Sequence, residues 1–153
     1  GATGHVIEAL LSSMLADPYF ELPAPKSLDK AYFSENWLAH HLRSDYASQD
    51  IQATLVAFTA TSICRAIKTR ALPIKHVAIC GGGVHNTPLI QAIRRQLPDV
   101  QVDSTQTFGV DPDFLEAMMF AWLADKTLNH IPVDLTGITG SKRPAILGAI
   151  YSA

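Results

Sequence analysis

Three consecutive glycines, Gly81-Gly82-Gly83, lie between a short apolar run and a proline-containing helix start, Asn86-Thr87-Pro88. Glycines let backbone approach a ligand closely and admit positive φ. Amides and the positive dipole end at the start of the following helix suit a phosphate or a ribose-phosphate edge. The run is not a G-x-x-x-x-G-K-[ST] phosphate loop, because no Lys-Ser or Lys-Thr follows. Nor is it G-x-G-x-x-G, because Asn86 stands where the third glycine belongs. Two other readings stay open. One is a tight strand–helix turn without a ligand. The other is a dinucleotide site, with Asp103 at about the 20-residue distance expected of a ribose-binding acid.

The second chemical group is Glu116, the only charge between Phe114 and Ala124. A helix apolar on all sides is normally buried, which predicts Met118, Met119 and Trp122 as core residues. A carboxylate in such a helix needs a partner or faces a cavity. Glu116 therefore meets a buried cation, reaches solvent through a narrow strip, or points into a ligand cleft.

Other polar side chains say less. His40-His41 lack Cys, Asp or Glu at ligand spacing. His85 is either a phosphate contact or a surface-turn residue. Lys68-Arg70, Arg94-Arg95 and Lys142-Arg143 are scattered and read as solvated faces, although Lys142 and Arg143 follow a Gly-Ser loop where phosphate could bind. Cys64 and Cys80 sit in apolar contexts and read as buried free thiols, consistent with a cytoplasmic address.

The elements that must carry these residues follow from hydrophobic periodicity. Val6, Ile7, Leu10, Leu11, Met14 and Leu15 predict a first helix, stopped by Asp17-Pro18. After the proline-rich Leu22–Ser27 connector, Ser27 would cap a helix to about Leu42, with Tyr32, Phe33, Trp37 and Leu38 on its apolar stripe. A long Ala- and Thr-rich helix spans Ser48 to about Ala71, ended by Leu72-Pro73. The second half changes rhythm. Lys75–Cys80 reads as a buried strand, then the glycine loop, then a helix to Leu97 capped by Thr87 with Pro88 at its first position. Val100–Asp103 alternates like a strand. A loop from Ser104 to Val110 leads to Asp111-Pro112-Asp113 and a helix over Phe114–Leu128. A last short helix spans Pro144 to about Tyr151. The fold class is α/β, with a helical part over about 1–72 and a strand–Gly loop–helix–strand–helix part over about 73–153.

The balance of 12 basic and 14 acidic residues, net −2, argues against a nucleic-acid binder. No apolar run approaches the roughly 18 residues of a membrane span, and Gly1-Ala2-Thr3-Gly4-His5 lacks the features of a signal peptide. With 48% hydrophobic residues the chain is a folded domain rather than a disordered one. It lacks an opening methionine and enters an apolar-periodic segment at once, which either an artificial start or a removed upstream region would explain.

Five strings occur in order: Asp17-Pro18-Tyr19-Phe20, Pro25-Lys26-Ser27, Cys80-Gly81-Gly82-Gly83-Val84-His85-Asn86, Glu116-Ala117-Met118-Met119-Phe120-Ala121-Trp122-Leu123-Ala124 and Leu147-Gly148-Ala149-Ile150-Tyr151. By these the chain resembles the C-terminal part of the anhydro-N-acetylmuramic acid kinase family, over nearly its whole length. The resemblance implies a single C-terminal lobe of an actin-like ATPase and sugar kinase (ribonuclease H-like) fold, helix-rich with a small sheet. It implies ATP and Mg2+ as cofactors and anhydro-N-acetylmuramic acid as substrate. The family opens the 1,6-anhydro ring with water and phosphorylates O6, giving N-acetylmuramic acid 6-phosphate in cell-wall sugar recycling. Gly81, Gly82 and Gly83 match the motif on the adenosine and inner-phosphate side of ATP. Asn86 matches the polar residue that follows it, and Glu116 a glutamate of the sugar site near the ring-opening chemistry. The family's Asp-Gly phosphate loop, its second phosphate loop and the aspartate base belong to an N-terminal lobe. This chain has no Asp-Gly dipeptide, so the resemblance makes that lobe a partner and the isolated chain inactive. A homodimer also fits. The chain departs from the family at Leu28-Asp29-Lys30-Ala31, where many relatives have Thr-Gly-Arg-Glu, and at His85, where Arg is common.

Overall fold

A computed structural model describes residues 3–23, 26–29, 31–70 and 73–151. The chain is a helix-rich α/β structure with one two-stranded parallel sheet. Helix α1 (Glu8–Leu15) buries Leu10, Met14 and Leu15 at the expected helical spacing. Each such side chain contributes roughly 1.5–3 kcal/mol on leaving water. Asp17 ends the segment and then organises the next one. Its Oδ1 accepts the Tyr19 amide at 2.9 Å, capping a 3-10 turn over Pro18–Glu21. The same carboxylate accepts the Tyr32 hydroxyl at 2.9 Å and the Trp37 indole N–H at 2.8 Å.

The helix expected from Ser27 is much shorter. Helix α2 covers only Glu35–Ala39 and is capped by Ser34, whose Oγ accepts the Trp37 amide. Asp29 explains the delay: its Oδ1 accepts the Ala31 amide at 2.7 Å and its carbonyl the Tyr32 amide. Such a local side-chain turn competes with helix. Tyr32 and Phe33 therefore join an aromatic cluster with Tyr19, Phe20, Trp37 and Phe58 from turn positions.

Helix α3 (Ser48–Lys68) is the spine of the molecule. Its Phe58 packs with Leu10, Met14 and Leu15, while its Ala60 and Cys64 pack with Ala92, Ile93, Leu97 and Val102 on the other side. Ala71 and Leu72, the expected end of this helix, lie outside the described residues, as do Ala24 and Pro25 of the connector. The segment before α1 is fastened to α3: His5 N–H donates to Asp50 Oδ1 at 2.8 Å and Ile7 N–H to Thr54 Oγ1 at 2.9 Å. A Cβ on Gly4 would stand 2.0 Å from the Gln49 carbonyl oxygen, so only glycine permits this approach.

Strand β1 (His76–Ile79) runs parallel to β2 (Gln101–Ser104), with Val77 opposite Val102 and Ile79 opposite Ser104. Helix α4 (Thr87–Gln96) makes the crossover. Contrary to the expectation of a buried strand, β1 alternates between exposed and half-buried residues. Val77 and Ile79 pack on the α3–α4 core, but His76 and Ala78 face outward. Cys64 is buried as expected, whereas Cys80 at the end of β1 is exposed. Burial pushes the Cys64 thiol up, against the opposing charge of Lys68.

After β2, a 3-10 turn over Thr105–Phe108 leads to α5 (Leu115–Leu128). A single helical turn, α6 (Thr136–Thr139), follows. The helix expected over Pro144–Tyr151 is absent. Ala145 instead bridges antiparallel to Val133, Gly148 takes φ +82°, and the Leu147 carbonyl accepts the Thr127 hydroxyl of α5. Those commitments pull this segment away from helical geometry.

Candidate functional site

The glycine loop starts at the end of β1. Gly81 adopts φ +72° and ψ 179°, a combination open essentially to glycine alone. Its amide donates to the Pro112 carbonyl at 2.8 Å, and its carbonyl accepts the Val84 amide at 3.0 Å. That second bond opens a 3-10 turn over Gly82–His85. The amides of Gly82 and Gly83 precede it, so the turn leaves them outside its own ladder.

Gly82 and Gly83 do not have positive φ. A Cβ on Gly82 would meet nothing within 4 Å, and one on Gly83 only Leu89 Cδ2 at 4.0 Å. Neither backbone strain nor internal packing among the described residues calls for glycine at these two positions. Open space over unbonded amides is what a phosphate or ribose edge requires.

Donors at the start of α4 are fewer than the sequence suggests. Asn86, not Thr87, caps the helix, with Oδ1 accepting the Leu89 amide at 3.2 Å. Pro88 has no N–H to offer. Amides outside any helical ladder therefore belong chiefly to the loop rather than to the helix end.

Glu116 lies in the first turn of α5 and is exposed. It makes no hydrogen bond or ion pair among the described residues. The expectation that this helix is buried fails. Phe114, Phe120 and Trp122 are 61%, 59% and 49% exposed, and Met118 and Met119 are exposed with them. These exposed residues are spread around the helix, and Phe120 opens onto a groove shared with Leu147 and Ile150. Of the three readings of Glu116, neither a buried cation nor a narrow solvent strip describes it. It stands on an open apolar face.

The loop and this helix are joined through Asp111-Pro112-Asp113. The Asp111 carboxylate accepts the Asp113 amide at 2.9 Å, and its carbonyl accepts the Phe114 amide, shaping the turn into α5. From that turn the Pro112 carbonyl holds Gly81, and Asp113 Oδ1 and Oδ2 stand 3.0 and 3.1 Å from His85 Nε2. Gly81, His85 and Glu116 thus share one frame, built by segments some 30 residues apart in sequence.

Asp103 does not serve the dinucleotide reading. Its Oδ2 accepts the Gln101 side-chain amide at 2.7 Å, and its Oδ1 lies 3.7 Å from Arg94 Nη2. His40 Nδ1 lies 2.6 Å from its own helix's Asn36 carbonyl, and His41 Nδ1 lies 2.6 Å from Ser13 Oγ.

Comparison with known proteins decides the family. The model of the family described as anhydro-N-acetylmuramic acid kinase matches residues 1–153. The chain belongs to the anhydro-N-acetylmuramic acid kinase family. Curated anhydro-N-acetylmuramic acid kinases show the same relation. The protein of Legionella pneumophila strain Corby is 53% identical over 148 residues, covering 97% of this chain and 40% of its own length. That of Pseudomonas syringae pv. tomato is 43% identical over 154 residues, covering 99% and 42%. That of Hahella chejuensis is 43% identical over 153 residues, covering 99% and 41%. The chain thus spans about two fifths of the length of the curated kinases it matches.

Within this kinase-family chain, sequence reasoning missed Pro112 and Asp113 as neighbours of the glycine loop. Asp113 reads from sequence as an acid in a helix's first turn, which it also is. Nothing in a 28-residue separation announces that its carboxylate reaches His85.

Proposed function

We propose that this chain is the C-terminal lobe of an ATP-dependent kinase acting on anhydro-N-acetylmuramic acid, with the actin-like architecture in which two lobes close on nucleotide and sugar. The observation that carries the reading is the open loop Gly81–Gly83, tied to the turn that starts the Glu116 helix, in a chain of this family. The loop's free amides and bare surface would receive the adenosine and inner-phosphate side of ATP, with Asn86 shaping its exit by capping α4. Glu116, with no partner among the described residues, would accept a hydrogen bond from a sugar hydroxyl or from the water that opens the ring.

ATP supplies the phosphoryl group, and the protein's part is positioning and charge stabilisation. Water adds to the anomeric carbon as the bond from that carbon to O6 breaks, the water's proton leaves to a base, and the freed O6 takes the terminal phosphoryl group of ATP as ADP leaves. The product is N-acetylmuramic acid 6-phosphate, an intermediate of cytoplasmic cell-wall sugar recycling. The phosphate clamps and the base are assigned to the upstream lobe. The exposed apolar side of α5 supports that division, as a surface built to be covered. No helix among the described residues is long and apolar enough to cross a membrane.

The test uses the full-length protein. Mass spectrometry should detect the 6-phosphorylated, ring-opened sugar only with ATP present, and titration calorimetry should show ATP binding that Gly82→Val removes. Product from this chain alone, or normal ATP binding by the Gly82→Val protein, would contradict the assignment.

A further inference from the structure

We infer that Asp113 is a positioning residue: through His85 it holds the glycine loop in the shape that receives the nucleotide. The inference rests on the nucleotide reading of that loop and adds the group that keeps it in place. The loop has two tethers, and both end on the same turn. At its start the Gly81 amide is bound to the Pro112 carbonyl at 2.8 Å. At its end the His85 ring meets both oxygens of Asp113, at 3.0 and 3.1 Å.

Between the tethers stand Gly82 and Gly83, with no side chain and almost nothing packed over them. Glycine loses more freedom on ordering than any other residue. Two backbone bonds, Val84 to Gly81 and Asn86 to Gly83, brace the turn from within. Without the second tether, more of the ordering would fall at the moment ATP binds, and affinity would drop. The pair itself is open to water, with side chains 63% and 53% exposed, so it adds little to global stability. Its effect is local. The Asp113 end is firm because the Asp113 amide is bound to the Asp111 carboxylate. His85 Nε2 can donate to the carboxylate as neutral or charged imidazole, so the tether does not need a protonated ring.

The experiment compares Asp113→Ala, His85→Ala, the double variant and His85→Arg in the full-length kinase. The expected result is a KM for ATP raised about threefold to tenfold in each single variant, the range for ordering one or two groups at binding. The KM for sugar and the melting temperature should stay as in the parent protein. The double variant should be no worse than either single one, and His85→Arg, whose guanidinium can still grip the carboxylate, should restore the KM. A merely structural role would move the melting temperature and both KM values together, without rescue. An unchanged KM for ATP, or additive losses in the double variant, would overturn the inference. Gly82→Val separates the two levels. If it abolishes ATP binding while the Asp113 and His85 variants bind normally, only the positioning role fails. If it binds ATP normally, the nucleotide reading falls and the inference with it.

Discussion

His85 and Asp113, 28 positions apart in the chain, meet with His85 Nε2 at 3.0 and 3.1 Å from the two carboxylate oxygens. This contact and the Gly81–Pro112 bond fasten the loop after β1 to the turn before α5. The glycine loop and the helix carrying Glu116 thereby acquire a fixed relation. The expected consequences are separable, because each feature can be altered without disturbing the others.

The loop can be tested at Gly82. Its φ is not positive and a Cβ there meets nothing within 4 Å, so Gly82→Val should leave the fold and melting temperature intact. In the full-length protein it should fill the space where the nucleotide would lie. ATP affinity measured by calorimetry should fall by at least about tenfold, which corresponds to roughly 1.4 kcal/mol. Gly81→Ala should behave differently. Its φ of +72° with ψ 179° makes the variant strained, at a cost of about 1–3 kcal/mol in stability. Thermal melts of the two variants should therefore diverge.

Glu116 is proposed to act on the sugar side. Glu116→Gln in the full-length protein keeps the size and loses the charge, and turnover should drop by about 10- to 100-fold, the scale of a lost hydrogen bond to a charged group. ATP affinity should change little. Turnover within twofold of the parent protein would remove Glu116 from the chemistry. The side chain is exposed and has no partner among the described residues, so stability should not fall.

Asp17 makes the prediction for acid pH. Burial raises its pKa, but the Tyr19 amide, the Trp37 indole, the Tyr32 hydroxyl and the charge of His41 outweigh that and hold it below the usual 3.8. A carboxylate depressed by folding contributes stability that is complete above its unfolded value and is lost as pH falls through the folded one. Acid melts should therefore show a loss of stability below pH 3.8, and Asp17→Asn should flatten it. Asp17→Ala should cost about 1–3 kcal/mol at neutral pH, because it strands the Trp37 and Tyr32 donors.

The open side of α5 predicts the behaviour of the chain by itself. Phe114, Met118, Phe120 and Trp122 are all about half exposed or more, and exposed apolar clusters favour association. The isolated chain should bind a hydrophobic dye and scatter light as concentration rises, and it should not turn over substrate. Phe120→Glu should reduce both dye binding and scattering. A monodisperse chain with no dye response would show that this face needs no cover.

Much of this protein is determined by sequence alone, because the signals are local. The apolar spacing of Leu10, Met14 and Leu15 makes a helix wherever it occurs, and Asp17-Pro18 stops it. A β-capable run, three glycines, a capped helix with an early proline and a second alternating run specify the elements β1, α4 and β2 in order. The two chemical groups, the glycine loop and Glu116, were visible for the same reason: each is unusual against its own neighbours.

Only the tertiary structure decided the rest, since those outcomes depend on partners distant in sequence. Asp29 and the aromatic cluster around Phe33 shorten α2, although the stripe from Tyr32 to Leu38 reads as helix. Leu147 and Gly148 are drawn out of a helix by Thr127 and by a positive φ. Cys80, Met118 and Trp122 look like core from composition, yet burial needs a facing layer, and among the described residues none covers them. Asp113 reads as a helix-start acid until folding sets it beside His85. Periodicity states which side of an element is apolar; only packing states whether anything lies against it.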